Sequence, residues 1–134
     1  MLQPKKTKYR KFKKGRLQTQ ASSNLQISKG NFGLKALQSG RISAIQIEAA
    51  RRTISRKVKR KAKVWINIFP HIGVSKKPSG IRMGKGKGKI NYWQSSIGRG
   101  KILFEIFGVS EKVASQALLA SAKKLSIKTS LVTL

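Results

Sequence analysis

Gly40-Arg41-Ile42-Ser43-Ala44-Ile45-Gln46-Ile47-Glu48-Ala49-Ala50-Arg51-Arg52-Thr53-Ile54-Ser55-Arg56-Lys57-Val58-Lys59-Arg60 is the stretch on which the fold of this chain turns. At 100° per residue Ile47, Ala50, Ile54 and Val58 fall on one stripe, which predicts an amphipathic helix with Ser43 as its N-cap. Glu48 stands early in that helix, where the macrodipole favours an acid. Arg52, Arg56, Lys59 and Lys63 form a stripe roughly opposite, with Arg60 beside it. A helix face that met only water would mix signs to gain pairs between residues four apart. Stacking like charges destabilises the helix slightly until phosphates arrive, so this face is expected to bind phosphate.

The segments on either side alternate in the manner of strands. Val64 to Phe69 (VWINIF) is rich in β-branched and aromatic residues and is ended by Pro70. A loop runs on through Pro78 and Gly80. Ile90 to Ile97 and Lys101 to Phe107 read as two more strands, and Gly98-Arg99-Gly100 between them predicts a hairpin. Ile102, Phe104 and Ile106 would share one face of the second. Ser110 then caps a helix from Glu111 to Lys124, whose Ala114, Ala117, Leu118 and Ser121, with Leu125, make one side small enough to lie close to a sheet. Leu125 to Leu134 returns as a last strand. Upstream, residues 17–31 are Gln/Ser/Asn-rich loop, and Gly30 to Leu37 leads into a short strand. The expected fold is α+β: a two-layer sandwich with two helices against a mostly antiparallel sheet. Its 134 residues form a single domain, 1–134, large enough to bury about two-thirds of its unfolded surface.

Two segments stand outside that body. A basic arm covers residues 1–20; its first 16 carry eight cations, among them Lys5, Lys6, Lys8, Arg10, Lys13 and Arg16, with two aromatics, Tyr9 and Phe12. Alone in water such a segment is disordered, and it is expected to order against RNA. The second is a basic loop, residues 76–89, built around Arg82-Met83-Gly84-Lys85-Gly86-Lys87-Gly88-Lys89. Glycine leaves its backbone free and every second side chain is a long cation, so it reads as a mobile finger directed at something densely anionic.

Charge decides the partner. The chain has 31 Lys+Arg against 3 Asp+Glu, a formal net charge of +28. The three carboxylates, Glu48, Glu105 and Glu111, can pair with no more than about a tenth of the cations, and a compact body so charged repels itself until a polyanion neutralises it. Nucleic acid is the expected partner. There is no cysteine, hence no disulfide or thiolate metal site, and no apolar run approaches a membrane span. The basic N-terminus lacks an apolar helical face and is broken by Pro4 and Gly15, so it is not read as a transit peptide.

Catalytic patterns fail one by one. No window matches the P-loop, and no Asp is present to hold Mg²⁺. The Gly/Lys repeat places lysine where the dinucleotide fingerprint needs its third glycine. His71, the sole histidine, has no carboxylate to orient it, and Glu105 and Glu111 lie on different elements. No enzyme activity, cofactor, metal or small-molecule substrate is therefore expected. Trp65, Tyr92, Trp93, Phe104 and Phe107 are expected in the core, with Trp93 the exception because it stands near the basic loop.

Taken together, MLQPKKTKYRKFKKGR, GNFGLKAL, the helix GRISAIQIEAARRTISRKVKR, KVWINIFP, KPSGIRMGKGKG and GKILFEIFGVSEKVASQALLASAKKLSIKT resemble the large-subunit ribosomal protein L-sixteen family of bacteria and organelles. The resemblance covers nearly the whole chain. It implies a structural protein that binds large-subunit rRNA near the base of the central protuberance, beside neighbouring large-subunit proteins. Arg51, Arg52 and Arg56 match the family's rRNA-facing helix, and Lys5, Lys6, Lys8 and Arg10 its arm. Arg82, Met83, Gly84, Lys85, Gly86, Lys87 and Gly88 match the loop that reaches toward tRNA beside the peptidyl-transferase centre, and Arg82 matches an arginine that some bacterial members hydroxylate. The chain departs from the pattern between Phe69 and Pro78, where the family usually has an acid, and at Phe107. Its acid-poor, Lys/Ile/Ser/Asn-rich composition and the wording of the helix resemble a mitochondrial member made where it works; a plastid or bacterial ribosome is the alternative location. The rival reading of function is a histone-like DNA-compacting protein, equally basic.

Overall fold

A computed structural model describes residues 2–134. Seven strands and two helices follow in the order β1 (Phe32–Ala36), β2 (Gly40–Ser43), α1 (Ala44–Lys57), β3 (Lys63–Ile66), β4 (Ile72–Ser75), β5 (Ile90–Ile97), β6 (Ile102–Phe107), α2 (Glu111–Ala122) and β7 (Thr129–Thr133). The class is α+β, as expected, but the strands form two sheets rather than one: β3-β6-β1-β7 and β2-β5-β4, every neighbouring pair antiparallel.

The helix α1 begins four residues after Gly40, because Gly40–Ser43 is used as a strand against β5. Ser43 is the N-cap: its Oγ accepts from the Gln46 N–H at 3.3 Å, and the Gln46 side chain accepts from the Ser43 N–H at 2.9 Å. This reciprocal box satisfies two N–H groups that the helix cannot. Ala44, Ile47, Ala50 and Ile54 are the buried side of α1, and Val58 joins the core just past its end. On α2, Ala114, Ala117, Leu118 and Ser121 are buried, and these small residues let α2 pack on both α1 and β1. Ser110 precedes α2 in extended conformation, but its side chain makes no capping bond. Together with Leu34, Ala36, Phe104, Ile106, Ile42 and Ile97, the two helices close one core that both sheets share.

Three expectations are corrected. The Gly98-Arg99-Gly100 turn does not make a hairpin: β5 lies in the three-stranded sheet and β6 in the four-stranded one, so the turn carries the chain between sheets. The reason is a third segment. Gly98 backs on Gln20-Ala21 so closely that a Cβ would stand 2.6 Å from the Ala21 nitrogen, and Arg99 pairs with this segment instead: its carbonyl accepts from the Ala21 N–H and its N–H donates to the Thr19 carbonyl. Second, Ile102 leaves the face it was to share with Phe104 and Ile106. Leu34 pairs with Phe104 but Lys35 with Ile102, a bulge that skips Leu103 and inverts the alternation. Leu103 thereby enters the core, and Ile102 lies on the Gly33 side, under Ile27. Third, the run 70–80 is not all loop, since Ile72–Ser75 pairs with β5. The outer strands are also shorter than read: β3 stops at Ile66, and the last strand starts only at Thr129.

The reverse side of the four-stranded sheet carries a buried charge. Glu105, on β6, is completely buried. Its Oε2 accepts from the backbone N–H groups of Ser28, Lys29 and Gly30 at 3.3, 2.7 and 2.9 Å, and its Oε1 from the Asn67 amide. Burial favours the protonated form, but these four donors outweigh it and hold the carboxyl below its usual 4.5. Glu105 thus pins the 28–30 turn and the end of β3 to the sheet.

Candidate nucleic-acid interface

The cationic side of α1 is set by the helix end as much as by the helix. After the C-cap Val58, both Lys59 and Arg60 adopt left-handed backbone, at φ 50° and 61°. Two adjacent non-glycine residues in that region cost on the order of 1–3 kcal/mol each, and the turn they make keeps both beside the last turn of the helix. Arg51, Arg52, Ser55, Arg56, Lys59 and Arg60 then line a shallow, open depression of about 650 Å³. Lys63 is not part of it. It opens β3, and its ammonium sits 5.2 Å from the centre of the Trp65 ring. The helix period carried past residue 57 had placed it with Arg56.

The acid on this face is placed differently from the sequence reading. Glu48 lies beyond the first turn of α1 and grips its own arginines: Arg51 at 2.7 Å and Arg52 at 3.0 Å. The Arg51 hydrogen bond, with Arg52 adding to it, overcomes partial burial and lowers the Glu48 carboxyl to about 2. One carboxylate shared between two guanidiniums orients both and leaves the cluster strongly positive. Arg56, Lys59 and Arg60 are exposed and carry no ion pair among the described residues.

A second basic surface joins segments 60 residues and more apart in sequence. The loop is closed at its base by Ser75 opposite Ile90 and by the Lys76 N–H on the Lys89 carbonyl at 3.1 Å. Gly88 is required there, because a Cβ would meet the Lys76 carbonyl oxygen at 2.5 Å. Beyond that base Arg82, Met83, Gly84, Lys85, Gly86 and Lys87 are all exposed, Met83 at 92%, and Lys85 follows the left-handed glycines on either side at φ 53°. Arg10 and Lys11 of the arm, with Lys76, Lys77, Lys85, Lys87 and Lys89 of the loop, line one open hollow of about 920 Å³. None of the three glutamates borders it. Lys11, Lys76 and Lys77 were not singled out from the sequence, their signal being only that they sit in the arm or precede the Gly/Lys repeat; Lys89 was read as the last cation of that repeat.

Lys5, Lys6, Lys8, Lys13 and Arg16 are exposed along the arm. The arm is not free of the body: Arg41 on β2 donates to the Gly15 carbonyl at 2.8 Å, and Phe12 meets Trp93 edge-on at 5.7 Å. Among the aromatics expected in the core, only Phe104 is wholly buried. Trp65 and Trp93 are half-buried, while Tyr92 and Phe107 are 39% and 49% exposed. His71 is an exposed loop residue whose ring nitrogen Nδ1 lies 3.2 Å from the Phe69 carbonyl. No group of three or more potential metal ligands occurs among the described residues, and no helix there is long and apolar enough to cross a membrane.

An α+β body whose cationic faces are open, shallow and short of carboxylates has the make-up of a nucleic-acid-binding protein. Comparison with known proteins gives the particular family. The family described as ribosomal protein L16p/L10e matches residues 4–132. Proteins named large ribosomal subunit protein uL16 are 51% identical in Allorhizobium ampelinum and 53% in Acidiphilium cryptum, over 98% and 99% of this chain and 96% of each relative. That of Maricaulis maris is 52% identical over 98% of this chain and 96% of its own length. The chain belongs to this ribosomal protein family.

Proposed function

We propose that this protein is a structural constituent of the large ribosomal subunit, held in place by large-subunit rRNA and directing its Gly/Lys loop toward tRNA. The observation that carries this reading is the disposition of charge. Among the described residues only Glu48 of the three side-chain carboxylates forms ion pairs with cations, so the α1 depression and the arm–loop hollow remain strongly positive. Arginines of α1 can grip phosphates through two N–H groups at once, and the lysines of the loop act as point charges. In this reading Lys5, Lys6, Lys8, Arg10, Lys13 and Arg16 of the arm, and Arg51, Arg52, Arg56, Lys59 and Arg60 of the α1 face, bind rRNA. The loop from Arg82 to Gly88, exposed as far as Lys87, rises from a pinned base, which suits a finger that meets a moving partner such as tRNA. Neighbouring large-subunit proteins complete the site. Lys63, stacked on Trp65, drops out of the α1 group.

The compartment in this reading is the mitochondrial ribosome, on the acid-poor, Lys/Ile/Ser/Asn-rich composition; the relatives named above are bacterial. Sucrose-gradient fractionation of the native source tests role and compartment together. The chain is expected to sediment with the large subunit of mitochondrial ribosomes. Sedimentation with another cell compartment's ribosomes would overturn the location alone, and absence from large subunits would overturn the role. Competition between large-subunit rRNA and duplex DNA separates a ribosomal protein from a DNA-compacting one; equal affinities would favour the latter.

A further inference from the structure

The arm and the Gly/Lys loop are held together by a specific seat. Gly73 on β4 has no side chain, and a Cβ there would lie 2.8 Å from the Ile90 side chain and 3.1 Å from the Phe12 ring. The Ile90 side chain and the ring together fill the space so left, and the ring closes edge-on against Trp93 at an interplanar angle of 72°. Edge-to-face contact of this kind is favourable beyond the area it buries. Around the seat the two segments exchange contacts: the Lys11 ammonium donates to the Lys87 carbonyl, and the Lys87 ammonium donates to the Phe12 carbonyl. Two cationic segments would separate if charge alone acted on them. Here an aromatic plug and carbonyl acceptors keep Arg10 and Lys11 beside Lys76, Lys77 and Lys89 at one hollow with no carboxylate on its rim.

We propose that Phe12 is a positioning residue that locks the N-terminal arm to the Gly/Lys loop, so that arm and loop grip one RNA segment as a single cradle. This rests on the reading of the protein as RNA-binding, and it changes that reading in one respect: the arm and the loop share a strand of phosphates instead of meeting rRNA and tRNA separately. The ligand chemistry is a run of phosphodiesters. Whether rRNA or tRNA supplies it is decided by titrating each in turn.

The test uses the full chain. In a Trp65→Phe background, which leaves Trp93 as the only tryptophan, Phe12→Ala is expected to red-shift Trp93 emission and raise its quenching by acrylamide. Phe12→Leu should restore part of the change, and Gly73→Ala, which displaces the ring, should reproduce it. In salt titrations with large-subunit rRNA and with tRNA, Phe12→Ala removes no charge, yet it should release the two arm cations from the cradle. Two lost phosphate contacts lower the slope of log K against log[salt] by about 1.4–1.8, which at 0.1 M salt is roughly 25- to 60-fold in affinity. The loss should fall on the RNA that Lys76→Ala with Lys89→Ala also weakens, and should shrink in that double variant. Unchanged Trp93 emission overturns the anchor. An unchanged slope, or losses that simply add, overturns the shared cradle. If the unmutated chain binds neither RNA at low salt, the functional reading fails, while the fluorescence series still decides the anchor.

Discussion

Replacing Glu105 by alanine should cost this protein more stability than any change on its surface. The substitution strips the acceptor from the N–H groups of Ser28, Lys29 and Gly30 and from the Asn67 amide. Lys29 is exposed and Ser28 lies near the surface, so water takes over part of their loss; the Gly30 N–H is buried and the Asn67 side chain half-buried. A buried donor left without a partner costs about 1–3 kcal/mol. Two such donors therefore put the loss at about 2–6 kcal/mol, a large part of the roughly 5–15 kcal/mol that holds an ordinary domain together. With an m-value of about 2 kcal/mol/M, the urea midpoint should drop by about 1–3 M. Glu105→Gln keeps one oxygen for the backbone donors and can turn its amide to an inverted Asn67, so it should lose only about 1 kcal/mol. The pH dependence has a definite sign. Because the Glu105 carboxyl titrates below 4.5 when folded, its contribution is complete above about pH 4.5 and fades as pH falls through the lower folded value. Glu105→Gln should lack that part of the acid loss. An alanine variant with a midpoint within about 0.3 M of the parent chain, at equal m-value, would refute the role given to this carboxylate.

Other perturbations test the surfaces. Arg52→Glu with Arg56→Glu reverses charge in the α1 depression and should block incorporation into large subunits, as judged by gradient sedimentation; normal incorporation removes the α1 face from the interface. Lys85→Ala with Lys87→Ala should leave the protein on the subunit but slow tRNA accommodation in a translation assay, and unchanged rates would count against the loop. Ser43→Ala breaks the capping box and should lower stability by about 1 kcal/mol, read as a urea midpoint shift, with RNA affinity at α1 little changed.

The helices were legible in advance because each is long enough to show its period. Ile47, Ala50 and Ile54 on α1, and Ala114, Ala117, Leu118 and Ser121 on α2, are buried in the structure, with Ala44 added at the start of α1. The strands were legible as strands but not as partners. Nothing local separates a glycine turn that folds two strands back on each other from one that passes between sheets, and at Gly98 the deciding contact is the backbone of Gln20-Ala21, nearly 80 residues upstream. Lys63 was placed on the helix because the charge pattern continues smoothly past the point where Lys59 and Arg60 turn left-handed.

Composition and charge spacing alone determined that this chain must meet a polyanion, since three glutamates cannot neutralise 31 cations whatever the fold. Local periodicity determined where its two helices run. Only the tertiary structure decided which cations act together: it set Arg10 and Lys11 beside the loop through the space that Gly73 leaves for Phe12, and gave Glu105 a structural use unrelated to the cations. The physical reason is range. Periodicity and charge are properties of neighbouring residues, whereas seats, bulges and buried carboxylates depend on what a distant segment brings into contact.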